Sequence, residues 1–242
     1  MADPFMITEL FFIRNFTSFW SDLLPGSERY VRLLNSGIER FDLPVDSKDP
    51  PNRRAMINTV AYLLFDEVVN TKKTLSHILQ SVDKQLGGFH KKALISLGHL
   101  SSLEEYQDPL GAVEVRTATG ICQIMISRFS SSKRLVLSPV FPGCGFLNEC
   151  EGDLLVGDTL FELKAGDRNF SIVDVRQLLV YAALNYIAGN KYEIHQMGLV
   201  NPRRCVEWKA DLRVVADDLA SSTPEELFHE IISFLTRPFG ST

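Results

Sequence analysis

The 242-residue sequence predicts an α/β fold, in which a mixed central sheet flanked by helices follows a mostly helical N-terminal region. Apolar residues recur at helical spacing over the first ~110 residues, whereas β-branched and alternating segments appear after Pro109. In that second part the expected order is helix, strand, hairpin, helix and strand, which is typical of a sheet covered by helices. We therefore expect a helical region over residues 1–110 and a sheet-containing core over residues 111–242.

The N-terminal region contains several segments with helical periodicity. We expect helices over residues 30–38, 53–69 and 74–86, with Gly87 and Gly88 ending the third. Two prolines and several turn residues predict a loop over residues 44–52. The aromatic segment 11–20 is expected to form helical core, and the alternative is a surface that binds a protein partner.

The second part of the chain alternates helical and extended patterns. A helix is favoured over residues 112–129, although Val113, Val115 and Thr117 alternate as strand residues do. Ser171, with Asp174 three residues later, forms a capping-box pattern that predicts a helix start. The remaining expected elements are strands over residues 134–140, 153–156, 159–165, 192–200 and 205–212, a hairpin turn at Gly157-Asp158, and a last helix after Thr223.

Composition and charge exclude several classes of protein. Hydrophobic residues make up 45% and charged residues 23% of the chain, which excludes a disordered protein. The net charge of −5 means that any contact with DNA depends on local basic pairs, namely Arg53-Arg54, Lys72-Lys73, Lys91-Lys92 and Arg203-Arg204. No apolar run approaches the ~20 residues that span a bilayer, and no basic segment precedes the first apolar residues. We therefore expect a cytoplasmic protein with no membrane partner.

Three charged residues on the hairpin strands form the candidate site. Glu162 and Lys164 are separated by one residue on a strand, so their side chains project to the same face. Hairpin pairing is expected to bring Asp153 beside Glu162. Two neighbouring carboxylates repel each other, and a divalent cation commonly relieves this repulsion. Lys164 could then orient or deprotonate a water molecule for attack.

An aspartate, a hairpin and a Glu-x-Lys pair together resemble the PD-(D/E)xK nuclease superfamily, which has the restriction-endonuclease-like fold. The resemblance implies that Asp153 and Glu162 bind Mg²⁺, with Mn²⁺ as a substitute, and that Lys164 serves the attacking water. Gln177 and Tyr181 are similar to the Gln-x-x-x-Tyr helix of RecB-type members, which implies that Gln177 lies beside the catalytic centre. The resemblance covers roughly residues 112–212, and Gly152 stands where the motif name has proline.

Many members of this superfamily carry a further acidic residue upstream of the motif. By order in the chain Glu114 is the best candidate for this third metal ligand, and Glu67 and Glu149 are alternatives. Cys144, Cys150 and the later Cys205 fit no compact zinc pattern, so they are expected to be free thiols.

The resemblance implies a function as well as a fold. We expect a metal-dependent deoxyribonuclease that acts on DNA, either as a restriction or anti-phage defence effector or in repair. It could act with a protein partner or as a homo-oligomer. One alternative is a non-catalytic subunit on the same fold that binds nucleic acid or serves as a scaffold in a defence or repair complex. The other alternative is an ordinary surface hairpin with a Glu–Lys pair.

Overall fold

The α/β fold is seen in a computed structural model that describes residues 6–46, 48–84, 86–98 and 103–237. Within these ranges the helices are α1 (Glu9–Asn15), α2 (Thr17–Leu23), α3 (Ser27–Ser36), α4 (Arg54–Thr71), α5 (Leu75–Ser81), α6 (Gly87–Ser96), α7 (Ala112–Phe129), α8 (Ile172–Ile187), α9 (Leu212–Ala220) and α10 (Pro224–Thr236). The strands are β1 (Glu39–Arg40), β2 (Leu135–Leu137), β3 (Val140–Phe141), β4 (Cys150–Glu151), β5 (Leu154–Val156), β6 (Thr159–Leu163), β7 (Gln196–Asn201) and β8 (Val206–Asp211). Short 3-10 turns precede α4 and α7.

Six of these strands form one mixed sheet in the order β1-β8-β7-β6-β5-β2. β6 and β7 pair in parallel, joined by the crossover helix α8, and the other neighbours pair antiparallel. β3 and β4 form a separate two-stranded pair. The predicted α/β class, with a mixed sheet flanked by helices, is therefore confirmed. None of the helices in the described ranges combines the length and apolar composition needed to cross a bilayer.

Two hydrophobic cores pack against the sheet because successive strand residues point to opposite faces. Leu160 joins the core around α8, which also contains residues of α1, α2, α3, α9 and α10. Phe161 joins the other core, which is built mainly from α4, α5, α6 and α7. Each core contains residues from both sides of position 110, and β1 belongs to the sheet. The expected division between residues 1–110 and 111–242 therefore does not separate two cores.

Gly87 and Gly88 do not end a helix, contrary to the sequence-based expectation. α5 ends at Ser81, and α6 begins at Gly87. The side chain of Asp83 accepts a hydrogen bond from the Gly87 N–H at 3.0 Å, so it satisfies one backbone donor in the first turn of α6. A glycine pair is typical of a helix end, but the start of a helix tolerates glycine as well. The predicted helix over residues 112–129 is confirmed.

The register of β6 and α8 positions the hairpin residues. Gly157 has a φ of +63° in the turn between β5 and β6, a conformation that glycine adopts without strain. Gly198 lies opposite Phe161 in the β6–β7 pair, and a Cβ there would lie only 2.3 Å from the Phe161 ring. At the start of α8 the Ser171 N–H donates to Asp174 Oδ2 at 2.8 Å, as the capping-box pattern predicts.

The two adjacent phenylalanines of α1 provide a test of whether the N-terminal region belongs to the main core. Phe12 is fully buried and its ring packs against Trp20 and Phe234, whereas Phe11 is 48% exposed. We expect Phe12→Ala to lower the free energy of unfolding by about 3–5 kcal/mol. Phe11→Ala, the matched control, should have a much smaller effect. Chemical denaturation should show one transition, and two transitions of which Phe12→Ala moves only one would indicate a separate N-terminal domain.

Candidate active site

Asp153 is held at the start of the β5–β6 hairpin by backbone contacts. Leu154 pairs with Phe161, and continuing this register places Asp153 across from Glu162. The Leu163 N–H donates to Asp153 Oδ2 at 2.6 Å. The Tyr62 hydroxyl and the Ser138 N–H both donate to the backbone carbonyl of Asp153, at 2.8 and 3.0 Å. Its carboxylate is therefore fixed relative to β6.

Lys164 links the β6 carboxylate to the neighbouring helix. Its Nζ donates to Glu162 Oε1 and to Gln177 Oε1, each at 2.9 Å. Its backbone N–H donates to the Val200 carbonyl at 2.9 Å, which continues the parallel pairing of β6 with β7. Glu162 and Lys164 thus share a face of the sheet, as their spacing predicts.

Gln177 is positioned by Tyr181, which in turn packs against Phe141. Its Nε2 donates to the Tyr181 hydroxyl at 2.8 Å, one helical turn along α8. The Tyr181 ring stacks on Phe141, with ring centroids 5.2 Å apart. The structure therefore brings the predicted residues Asp153, Glu162, Lys164 and Gln177 together through hairpin register and direct hydrogen bonds.

The buried charges of this cluster change the pKa of each member. Burial and the neighbouring Asp153 carboxylate raise the pKa of Glu162 to about 8. Burial also raises the pKa of Asp153. Burial alone would lower the pKa of Lys164, but the carboxylates around it, Glu162 first, raise it instead. The two carboxylates therefore favour a bound proton or another cation, while Lys164 stays protonated at neutral pH.

Arg168 and Asp174 extend the cluster at the start of α8, and sequence reasoning did not place them in the site. The Arg168 guanidinium donates to both oxygens of the buried Asp174, each at 2.6 Å. Asp174 Oδ1 also lies 3.8 Å from Lys164 Nζ. Burial would raise the pKa of Asp174, but the bond from Arg168 and the charge of Lys164 lower it. The capping box was the available sequence signal for Asp174, whereas nothing local indicated Arg168.

Glu114 does not join the carboxylate pair through any of its hydrogen bonds, contrary to its expected role as a third ligand. Arg53 donates to both oxygens of Glu114, with the shorter contact, from Nε, at 2.8 Å. The Gly111 N–H donates to Oε2 at 2.7 Å, so Glu114 caps the start of α7. Burial would raise the pKa of Glu114, but these bonds lower it. Because both oxygens serve a buried ion pair, we do not include Glu114 in the proposed ligand set.

The two alternatives to Glu114 also lack a direct connection to the site. Glu67 lines a different cavity together with Lys73 and Lys92. Among the contacts of the described residues, none joins Glu149 to the carboxylate pair. The acidic residue whose charge acts on Asp153 is Glu151, which precedes it by two positions in the same segment.

The residues present fit a magnesium ion. Glu162 Oε2 is buried and accepts no hydrogen bond from any of the described residues, which is costly unless a cation or a proton satisfies it. In the described ranges no group of three or more His, Cys, Asp or Glu side chains is arranged to hold a metal. Mg²⁺ is nonetheless commonly bound by one or two carboxylates, with water and substrate phosphate completing its six positions. Asp153 and Glu162 provide such a pair.

A cavity of about 510 Å³ opens beside Asp153, between α4, α7 and the hairpin. Its lining includes Thr59, Tyr62, Asp66, Met125 and Glu151. Asp153 is therefore next to a space large enough for a small molecule or part of a larger one.

Comparison with known proteins identifies no family for this chain. No family model matches the chain, and neither the curated proteins nor the solved structures contain a match to it. The function must therefore be argued from the geometry of the site.

The raised pKa of Glu162 predicts a pH-dependent effect of Glu162→Gln on stability. The pKa is about 8 in the folded protein and 4.5 when the group is unperturbed. The wild type therefore loses stability as the pH rises from 4.5 to 8, because folding opposes ionisation of this group. Gln does not titrate, so the melting temperature of the variant relative to the wild type should increase over this range in EDTA.

The control for this experiment is Glu225→Gln on the exposed surface of α10. Its melting temperature relative to the wild type should stay constant with pH. In a chain of this size each kcal/mol corresponds to about 2–4 °C, so thermal denaturation can resolve the effect. A constant difference for Glu162→Gln as well would show that Glu162 ionises normally in the folded protein.

Proposed function

We propose that this protein is a metal-dependent deoxyribonuclease of the PD-(D/E)xK type, which hydrolyses phosphodiester bonds in DNA with Mg²⁺ or, as a substitute, Mn²⁺. The observation that carries the proposal is the buried pair of Asp153 and Glu162, in which Lys164 contacts Glu162 Oε1 and no group in the described part of the chain donates to Glu162 Oε2. Gln177 of the next helix contacts the same lysine, as the resemblance implies.

The fold supports the same proposal. α7 is followed by the antiparallel strands β2, β5 and β6, then by α8 and the parallel strand β7. The Glu-x-Lys pair lies at the end of β6, and the glutamine lies on the helix that follows. This arrangement is the one expected for a restriction-endonuclease-like core with a mixed sheet flanked by helices.

The side chains have distinct roles in the proposed mechanism. Asp153 and Glu162 would hold the ion, which polarises the scissile phosphate and lowers the pKa of a water molecule. In its hydrogen bonds to the described residues Lys164 uses two N–H groups, on Glu162 and Gln177, which leaves one for a phosphate oxygen or the attacking water. Because its pKa is raised, Lys164 acts as a cation that stabilises developing negative charge rather than as a base. Gln177 is a positioning residue for Lys164.

Basic residues beside the site supply contacts for the DNA backbone. Arg54 pairs with Asp167, just beyond the end of β6. Arg204 Nη1 donates to the carbonyl oxygens of Asp167 and Arg168 at 3.5 and 3.3 Å. Arg168 itself is exposed over much of its side chain. Three guanidinium groups therefore lie near one loop that follows Lys164, which suits binding to a polyanion despite the acidic net charge.

The proposed setting is a restriction or anti-phage defence system in the cytoplasm, where a protein partner or a second copy of the chain could select the target. The alternative is a non-catalytic subunit that binds nucleic acid or acts as a scaffold. The two differ in one measurable property, since only the nuclease must bind a divalent ion and turn over DNA.

A cleavage assay on three variants tests the proposal. The wild type should cut DNA with Mg²⁺ or Mn²⁺ and be inert in EDTA or with Ca²⁺ alone, because Ca²⁺ acidifies water weakly. Lys164→Ala should reduce cleavage about 100-fold or more and leave Mn²⁺ affinity nearly unchanged. Glu162→Ala should lose both cleavage and Mn²⁺ affinity. Lys209→Ala, an exposed lysine on β8, is the matched control and should behave as the wild type.

Measuring Mn²⁺ binding by calorimetry separates the alternatives. Binding by the wild type that Glu162→Ala abolishes, together with metal-dependent cleavage, supports the nuclease. DNA binding without any Mn²⁺ affinity would favour the non-catalytic subunit. Cleavage that persists undiminished in both Lys164→Ala and Glu162→Ala would place the active site elsewhere and contradict the proposal.

A further inference from the structure

A cavity lies beside Asp153, and binding of a metal ion by the carboxylate pair would not fill it. It measures about 510 Å³, and Asp153 is the member of the carboxylate pair that lines it. Thr59 and Tyr62 of α4 form part of one wall, and Met125 of α7 forms part of another. Since Asp153 itself lines the cavity, whatever enters it lies next to one of the two proposed metal ligands.

The charge of the cavity excludes phosphate as its occupant. Asp66, Glu151 and Asp153 are acidic residues of the lining, and among the described residues that line it none is Lys or Arg. The guanidinium groups of Arg54, Arg168 and Arg204 lie by contrast around the loop beyond β6. A nucleic-acid strand across the site would therefore keep its phosphates near the arginines and place an uncharged part in the cavity.

The size and lining of the cavity suit a nucleobase with its sugar. Sites of ~300–1,000 Å³ commonly hold ligands of drug size, a class to which a nucleoside belongs. The Tyr62 ring and the Met125 side chain offer apolar surface to a base. Asp66 offers carboxylate oxygens to amino or hydroxyl donors. A base pair within a stacked duplex cannot enter such a cavity without being taken apart.

We propose that this cavity holds one unpaired nucleoside of the DNA substrate beside the scissile phosphate, so that the enzyme acts on single-stranded DNA or on nucleotides displaced from a duplex. This inference rests on the proposed nuclease function. A paired base must be unstacked before it can occupy the cavity, and a base in a single strand has no pairing to lose. Single-stranded DNA is therefore the preferred substrate.

Two threonines of α4 provide a matched pair of variants. The Thr59 hydroxyl donates to the Ala55 carbonyl at 2.9 Å, and the Thr71 hydroxyl donates to the Glu67 carbonyl at 2.6 Å. Thr59 lines the cavity, whereas Thr71 is exposed at the other end of the helix. Thr59→Leu therefore narrows the cavity, and Thr71→Leu makes the same chemical change outside it.

The wild type should cleave oligo(dT) at least about tenfold faster than the same strand in a duplex. Thr59→Leu should slow cleavage of oligo(dT) about tenfold, comparable to the loss of one stacked base, and Thr71→Leu should not. With Ca²⁺ in place of Mg²⁺, the wild type should bind oligo(dT) about tenfold more tightly than an abasic oligomer of equal length and charge. Thr59→Leu should bind oligo(dT) and the abasic oligomer with equal affinity. Thermal denaturation and Mn²⁺ binding confirm that Thr59→Leu remains folded with its metal site intact.

The outcomes distinguish the inference from the function on which it rests. Equal cleavage of single strand and duplex, with Thr59→Leu as active as the wild type, would overturn the inference and leave the nuclease in place. Equal binding of oligo(dT) and the abasic oligomer by the wild type would overturn it as well. Absence of Mn²⁺ binding and of cleavage on every substrate would overturn the proposed function and the inference together.

Discussion

Two carboxylates buried side by side are the constraint on which the rest of the site depends. Asp153 and Glu162 face each other across the hairpin, and each would be unstable as a lone buried anion. The Leu163 N–H and the Lys164 ammonium offset part of this cost, but within the described ranges no donor reaches Glu162 Oε2. One lysine for two carboxylates leaves a deficit of positive charge, which either a bound proton or a divalent ion would correct.

The N-terminal helices support this arrangement from behind α8. Arg176 precedes Gln177 on α8, and its Nη1 donates to the Ile13 carbonyl in α1 at 3.2 Å. The same guanidinium lies over the Trp20 ring of α2, 5.4 Å from the ring centroid. Gln177 in turn contacts Lys164, so the helices near the N-terminus help to fix the helix that positions the lysine. Residues 1–110 are therefore part of the scaffold of the site rather than an appendage to it.

Local patterns in the sequence, together with the resemblance to a nuclease family, predict which residues meet in the candidate site. Strand alternation placed Glu162 and Lys164 on one face, and the capping box at Ser171 fixed the register that aims Gln177 at Lys164. The role of Glu114 could not be predicted in this way. Its partner Arg53 lies 61 positions away, and an ion pair between distant segments leaves no periodic signal. The sequence also does not predict that each core contains residues from both parts of the chain, because packing between distant helices follows from the tertiary fold.

Under the proposed function, the adjacent arginines are the basic groups that this acidic protein would present to DNA. In each of two pairs one member is internal, since Arg53 binds Glu114 and Arg203 binds Asp49. The other members, Arg54 and Arg204, meet at the loop beyond β6. These two arginines can therefore contact few phosphates. Non-specific affinity for DNA grows with the number of phosphates contacted, so it should be low. Discrimination among DNA substrates would then depend on what the cavity beside Asp153 accepts.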